Sequence, residues 1–335
     1  MLGPPSKRVW SHAPMRTLIT TKGAYHEPNK RTLKNHLDVC HEEGFWLDIE
    51  SPDAEDFEIL EHTFNFHPLA IEDVRHGNQR PKLEEYRGYS FMVMSVAHWE
   101  GQGEIEFLEY DLFLSKDHLV TVHKFKEKHL AELRERWQKN PELTRGNPQF
   151  LTYLVVDHLV DGLFPILERL DAVIDDLQDQ IIERAEPTTL HTIYELKHSV
   201  TQLRQRLGNQ RDLFQRLISA SLEDQQQDMS IYYRDVYDHI IRQYEQVDSL
   251  RDLLTGAMDV YLSTVSNRLN QTMKALTVIA SLFLPLSFLT GFYGMNFAYL
   301  TQVLEPPYIA FWIGLGTMVG ATAIQLYFFR RRGWI

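Results

Sequence analysis

The sequence predicts an α+β domain followed by long helices and two C-terminal membrane-spanning helices. Three observations carry this reading. Stretches rich in β-branched and aromatic residues run to about Lys124, and apolar spacings of three and four take over from about Gln149. Two uncharged apolar runs, Ala275–Leu300 and Tyr308–Phe329, lie near the end of the chain. Each run is long enough for a spanning helix of roughly 20 residues.

In the first part, "RTLITT", "FWLDIE", "YSFMVMSVAHW" and "LEYDLFLSKDHLVTVH" read as strands. "NKRTLKNHLDVCHEEG" and "SPDAEDFEILEHTFNFH" read as helices, the second opened by Ser-Pro and early acids. The sheet is expected to be antiparallel or mixed. No glycine-rich phosphate loop, nucleophile elbow or metal-ligand cluster stands out, so an enzyme is not expected. The formal net charge of −12 argues against nucleic acid as a partner. Cys40 is the single cysteine, which excludes an internal disulfide or a Cys-based zinc site and fits a reducing compartment. "MLGPPSKRVWSHAPMR" lacks a signal-peptide apolar core, so the first domain is expected in the cytoplasm.

From Gln149 the pattern is helical. Leu163, Leu167, Leu170, Ile174, Leu177 and Ile181 form one seam, and Leu196, Val200, Leu203, Leu207, Phe214 and Leu217 form another. The two are expected to pack as an antiparallel hairpin broken at Pro187. Acids at Glu168, Asp171, Asp175, Asp179, Glu183 and Glu186 could attract cations, but a solvated face is the simpler reading. Ser230 is the expected N-cap of a further helix. If unbroken, residues 231–291 would reach about 90 Å at 1.5 Å per residue.

The chain thus divides into an α/β domain at 1–148, an acidic helical hairpin at 149–230 and a long helix at 231–274. A first span at 275–296, a loop at 297–307, a second span at 308–329 and a basic tail at 330–335 follow. Arg268 and Lys274 precede the first span, Arg330, Arg331 and Arg332 follow the second, and Glu305 is the loop's only charge. The positive-inside rule then puts both termini in the cytoplasm of an inner or plasma membrane. A buried hairpin of a soluble core does not account for these basic flanks.

Within the first span, Asn270, Met273, Thr277, Ala280, Leu284, Ser287 and Gly291 recur at spacings of three and four. A small, polar stripe is either a packing surface or a pore wall, and a two-span chain encloses a pore only as a homo-oligomer. Gly316 and Gly320 read as a packing pair in the second span. The first span ends in "GFYGMNF", where Gly291 and Gly294 free the backbone to turn. Asn296 offers a neutral amide oxygen there. A ring of amides could hold a hydrated Mg²⁺ without stripping its waters or binding it too tightly to release.

"YGMNF" after the first of two C-terminal spans, the preceding "DVYLSTVSNRLNQTMKALTVIASLFLPLSFLTGF", and upstream "HPLAIEDVRHGNQRPKLEEY" and "YYRDVYDHIIRQYEQVDSLRD" resemble the CorA family of divalent-cation transporters. The resemblance spans nearly the whole chain. It implies a homopentameric channel with a cytoplasmic funnel domain, taking up Mg²⁺, with Co²⁺ and Ni²⁺ as further substrates. It carries the selectivity motif to Gly294, Met295 and Asn296. It carries the pore wall to Asn270, Met273, Leu276, Leu284 and Ser287, whereas the residue seam prefers Thr277 to Leu276. It further implies a regulatory divalent ion between Asp73 and Asp235 of adjacent subunits, with Glu72 and His239 near a second site. Spacing alone reads those four as solvated charges. The zinc-transporting ZntB branch shares the architecture but usually alters the methionine, so Met295 favours magnesium. A non-transporting membrane-anchored scaffold has no need of Asn270, Thr277 and Ser287 on one face.

Overall fold

A computed structural model describes residues 15–20, 23–26, 31, 33–35, 44–101, 104–125, 129–139, 148–223, 227–295 and 308–334. Its first compact unit, 1–180 with 186–257, is built on a seven-stranded sheet. The strands are β1 (Met15–Thr20), β2 (Gly23–His26), β3 (Phe45–Glu50), β4 (Lys82–Tyr86), β5 (Tyr89–Gly101), β6 (Glu104–Ser115) and β7 (His118–His123). They lie in the order β2-β1-β3-β7-β6-β5-β4. The sheet is mixed, as expected, with β3 and β7 parallel and every other pair antiparallel.

The four strand stretches are all found. "LEYDLFLSKDHLVTVH" is two strands, because Lys116 and Asp117 fall between β6 and β7. β2 and β4 were not legible. Both are short edge strands, and "KLEEY" carries the charges that keep an edge from recruiting another strand. All six residues of β3 are buried, as a strand covered on both faces requires.

The stretch read as one helix from Ser51 is α1 (Ala54–His62), followed after Asn65, whose φ is 54°, by α2 (Pro68–His76). The cap of α1 is Asp53 rather than the Ser-Pro pair. Its side chain accepts from the Asp56 N–H while Asp56 accepts from its own N–H, a reciprocal capping box. Of the earlier expected helix, Arg31 and Leu33 to Asn35 are helical, and the rest lies outside the described residues. Apolar residues of α1 and α2 (Ile59, Leu60, Ala70, Ile71, Val74) form one core with Leu47, Ile49, Val93, Phe113 and Val122 of the sheet.

Four helices follow: α3 (His129–Lys139), α4 (Pro148–Asp161), α5 (Phe164–Glu183) and α6 (Pro187–Glu223). Both predicted seams are buried, and the acidic stripe is exposed, a solvated face. α7 spans Gln227–Tyr293, so Ser230 is not its cap but a buried residue inside it. Arg204 of α6 meets Asp248 of α7 at 2.5 Å, and the Gln243 side chain donates to the Val160 carbonyl at 2.7 Å. These contacts fix α6, α7 and the end of α4 against one another.

The second unit, 258–335 with 181–185, contains the rest of α7 and α8 (Tyr308–Arg331). α7 thus ends three residues before the expected span boundary at 296, and α8 runs two beyond 329.

Candidate functional site

Among the described residues, three helical stretches are long and apolar enough to cross a membrane. Half of the apolar window in 148–183 is buried, against 6% in each of the other two. The first is therefore a core element of the soluble unit, and the two exposed ones, in α7 and α8, are the spans.

Pro285 sits inside α7 and lacks an N–H, so the Ser281 carbonyl four residues earlier has no helical donor. The Gln325 side chain of α8 donates to that carbonyl at 3.0 Å. In a lipid setting, such a freed backbone group needs a partner from a neighbouring helix. Gln325→Leu is expected to weaken the packing of the two spans by about 1 kcal/mol. A lowered unfolding midpoint of the detergent-solubilised protein would check it, and an unchanged midpoint would deny Gln325 this role.

Closer to the end of α7, Gly314 packs on the Tyr293 ring, where an added Cβ would lie 3.6 Å away. A Cβ on Gly316 or Gly320 would meet nothing within 4 Å. Among the described residues of one chain the expected pair therefore makes no close packing, and Gly314 does.

At roughly 100° per residue, Tyr293 and the buried Val278 lie on the side of α7 away from the polar seam, with Ser281 at its edge. The seam is left uncovered. Met273 and Leu276 are each 60% exposed and Leu284 73%, with Asn270, Thr277 and Ser287 exposed beside them. The Thr277 hydroxyl donates to the Met273 carbonyl at 2.8 Å, which fixes the rotamer of a seam side chain.

The motif begins as the helix runs out. The Gly294 N–H donates to Thr290 O at 2.9 Å and the Met295 N–H to Phe292 O at 3.2 Å. Gly291 is helical, and neither glycine has a positive φ. Gly294 is a turn residue, as expected, whereas Gly291 still belongs to the helix. What Gly294 supplies is room, since a Cβ there would stand 3.0 Å from the Thr290 carbonyl oxygen. Met295 is half exposed, and Asn296 lies outside the described residues.

The regulatory candidates separate into two places. On α2, Asp73 pairs with Lys82 at 2.7 Å, and Glu72 stands 3.8 Å from His76. On α7, Asp235 accepts from the Tyr153 hydroxyl at 3.4 Å. One turn on, His239 Nδ1 lies 2.8 Å from Asp161 and 3.8 Å from Asp157. Ligand atoms of Asp157, Asp161 and His239 all fall within 4.8 Å of one another, a geometry able to hold a metal ion. Burial, with help from Asp161, pushes Asp157 up to about 6, against the pull of His239. The cluster is thus short of positive charge.

The absence of a metal-ligand cluster in the soluble part, as read from sequence, is therefore corrected. Asp157 and Asp161 were missed, although "DHLVD" sets two acids four apart on one helix face. Among the described residues, nothing joins Asp73 or Glu72 to Asp235 or His239 within one chain.

An exposed polar seam on the first of two apolar helices, followed in sequence by Gly-Met-Asn, is the pattern of a membrane transport protein. Residues 41–331 match the family model described as CorA-like Mg2+ transporter protein. The cobalt/magnesium transport protein CorA of Thermotoga maritima is 33% identical over 274 residues, 81% of this chain and 78% of that one. The complete structure of the CorA magnesium transporter from Methanocaldococcus jannaschii superposes with a TM-score of 0.79 at 21% identity, covering 97% and 99% of the two chains. The ZntB cytoplasmic domain from Vibrio parahaemolyticus gives 0.53 at 12% identity, over 76% and 98%. The chain belongs to the CorA family and is a divalent-cation transporter.

Proposed function

We propose that the protein is a homopentameric channel for Mg²⁺ influx, also admitting Co²⁺ and Ni²⁺, gated by divalent cations in the cytoplasm. The observation that carries this is the seam of α7 that α8 leaves bare. Thr277 and Ser287 are unfavourable against lipid, so that face, with Asn270 below it on the same stripe, belongs against other copies of the chain and a water-filled axis. Met273, Leu276 and Leu284 on the same face form an apolar constriction that closes by excluding water. Asn296 of each chain holds the hydrated ion at the outer mouth, with both termini in the cytoplasm.

Cytoplasmic sensing rests on Asp235 and His239 with their neighbours Asp157 and Asp161. Two carboxylates and an imidazole fit a divalent cation, the nitrogen favouring Co²⁺ or Ni²⁺ and the oxygens Mg²⁺. Asp73 and Glu72 complete the site from the adjacent subunit.

The test is flux of Mg²⁺, Co²⁺, Ni²⁺ and Zn²⁺ into proteoliposomes, with and without a proton gradient. Mg²⁺ flux that needs no gradient is expected. Zn²⁺ flux alone would favour the ZntB reading, and no flux at all would leave a scaffold. In intact cells, a membrane-impermeant thiol reagent should reach Val303→Cys but not Gln271→Cys in a Cys40→Ser background. The reverse pattern would invert the topology.

A further inference from the structure

Apart from the pore seam and the α4–α7 acids, the sheet of the soluble unit carries a cavity of about 210 Å³. It lies where β6 passes the C-terminal end of α2, between Gly77 and Lys124. Three carboxylates line it, Glu106, Glu109 and Asp111, against a single ammonium, Lys124.

Glu109 and Asp111 are two residues apart on β6 and so share a face of the sheet. Asp111 stands beside Val93 and Val122, both members of the core under α1 and α2. That register makes Asp111 only 3% exposed, and its Oδ1 has no hydrogen-bond partner among the described residues. A buried carboxylate left this way is unfavourable unless something compensates it. Lys124 compensates it only from a distance, because its ammonium donates to the Arg75 carbonyl at 2.9 Å and forms no ion pair with Asp111 or Glu109 among the described residues. Glu109 has one oxygen engaged by the Gln79 N–H.

We propose that this cavity binds a hydrated divalent cation, held through its water shell by Asp111 and Glu109. Volume decides in favour of a hydrated ion. At about 30 Å³ per water the space takes about seven waters, enough for an ion that keeps six. Donor count agrees, since the only three-residue ligand cluster among the described residues is Asp157, Asp161 and His239. Two carboxylates suit contact through water better than a stripped ion. Burial, and next the Glu109 carboxylate, drives the Asp111 carboxyl well above its ordinary range, with Asp73 adding and Lys124 and Lys82 opposing. Either a proton or a cation must neutralise it. A cation there ties β6 to the end of α2, the helix that carries Asp73.

Crystals of the full chain grown with Mn²⁺ test this. An anomalous peak is expected about 4 to 5 Å from the nearest Asp111 and Glu109 carboxylate oxygens, one coordination bond plus one hydrogen bond away. It should vanish in Asp111→Asn. In solution, Mn²⁺ should still raise the unfolding midpoint of an Asp73→Ala, Asp235→Ala variant. Adding Asp111→Asn or Glu109→Gln should remove part of that rise, and Asp111→Asn should raise the metal-free midpoint. No wild-type peak, or a Mn²⁺ response unchanged by both substitutions, overturns the proposal. If Asp111→Asn does not fold, the wild-type map and Glu109→Gln decide. A cavity peak in a protein that conducts no ion would sink the channel reading and leave this one standing.

Discussion

Asn296→Ala is expected to abolish Mg²⁺ uptake while leaving the oligomer intact. Hydrogen bonds to charged groups contribute about 1.5 to 3 kcal/mol each. Losing a symmetric ring of them at once therefore lowers flux by more than about 100-fold. The fold of each chain should survive, because the contacts found between its spans (Gly314 on Tyr293, Gln325 on the Ser281 carbonyl) do not use the Asn296 amide. Asn296→Asp keeps the shape and adds a charge, so ions should enter and leave slowly. Gly294→Ala should also impair transport, since its Cβ would press on Thr290 O at 3.0 Å. Normal Mg²⁺ flux through Asn296→Ala, measured in proteoliposomes, would remove the residue from selectivity.

Asp235→Lys is expected to leave the channel at least about fivefold less sensitive to internal Mg²⁺, the lower end of ordinary coupling energies. The introduced ammonium stands where the sensor ion would, beside Asp157 and Asp161, and mimics the bound state. Asp73→Ala with Asp235→Ala should instead favour opening. Lys82 adds a third arm, because its ammonium lies 2.7 Å from both Asp73 and Glu84. A metal ion approaching Asp73 must displace or share that cation, so Lys82→Met should lower the Mg²⁺ concentration that closes the channel. Sensor binding shifts the gate only by its difference between closed and open states, so the readout is a dose response rather than affinity alone. Dose responses that coincide in all three variants would take these acids out of sensing.

Much of this was legible along the chain. The buried seams of α5 and α6 were read residue by residue, since a repeat of three and four depends only on local helix geometry. β3, β5 and the β6–β7 pair were visible because β-branched and aromatic residues mark a strand wherever it sits. β2 and β4 were not, because an edge strand owes its conformation to a neighbour that local pattern does not name. The cap of α1 moved from Ser51 to Asp53 because Asp56 was there to reciprocate. Ser230 fell inside α7 because the helix is held by packing that begins before it.

By itself the sequence determined the two spans, the polar seam and the Gly-Met-Asn ending, all set by composition and by period along one helix. Only the tertiary structure decided which side of α7 meets α8, because that depends on where Gln325 and Gly314 sit. It alone joined Asp157 and Asp161 to His239, some 80 positions on, as the 78-residue separation of the Asp161–His239 contact records. It also turned Asp111 from one of many acids into a buried carboxylate whose Oδ1 has no hydrogen-bond partner among the described residues. Separation along the chain carries no information about such encounters, which arise when packing brings distant faces together and excludes the water that would otherwise screen their charges.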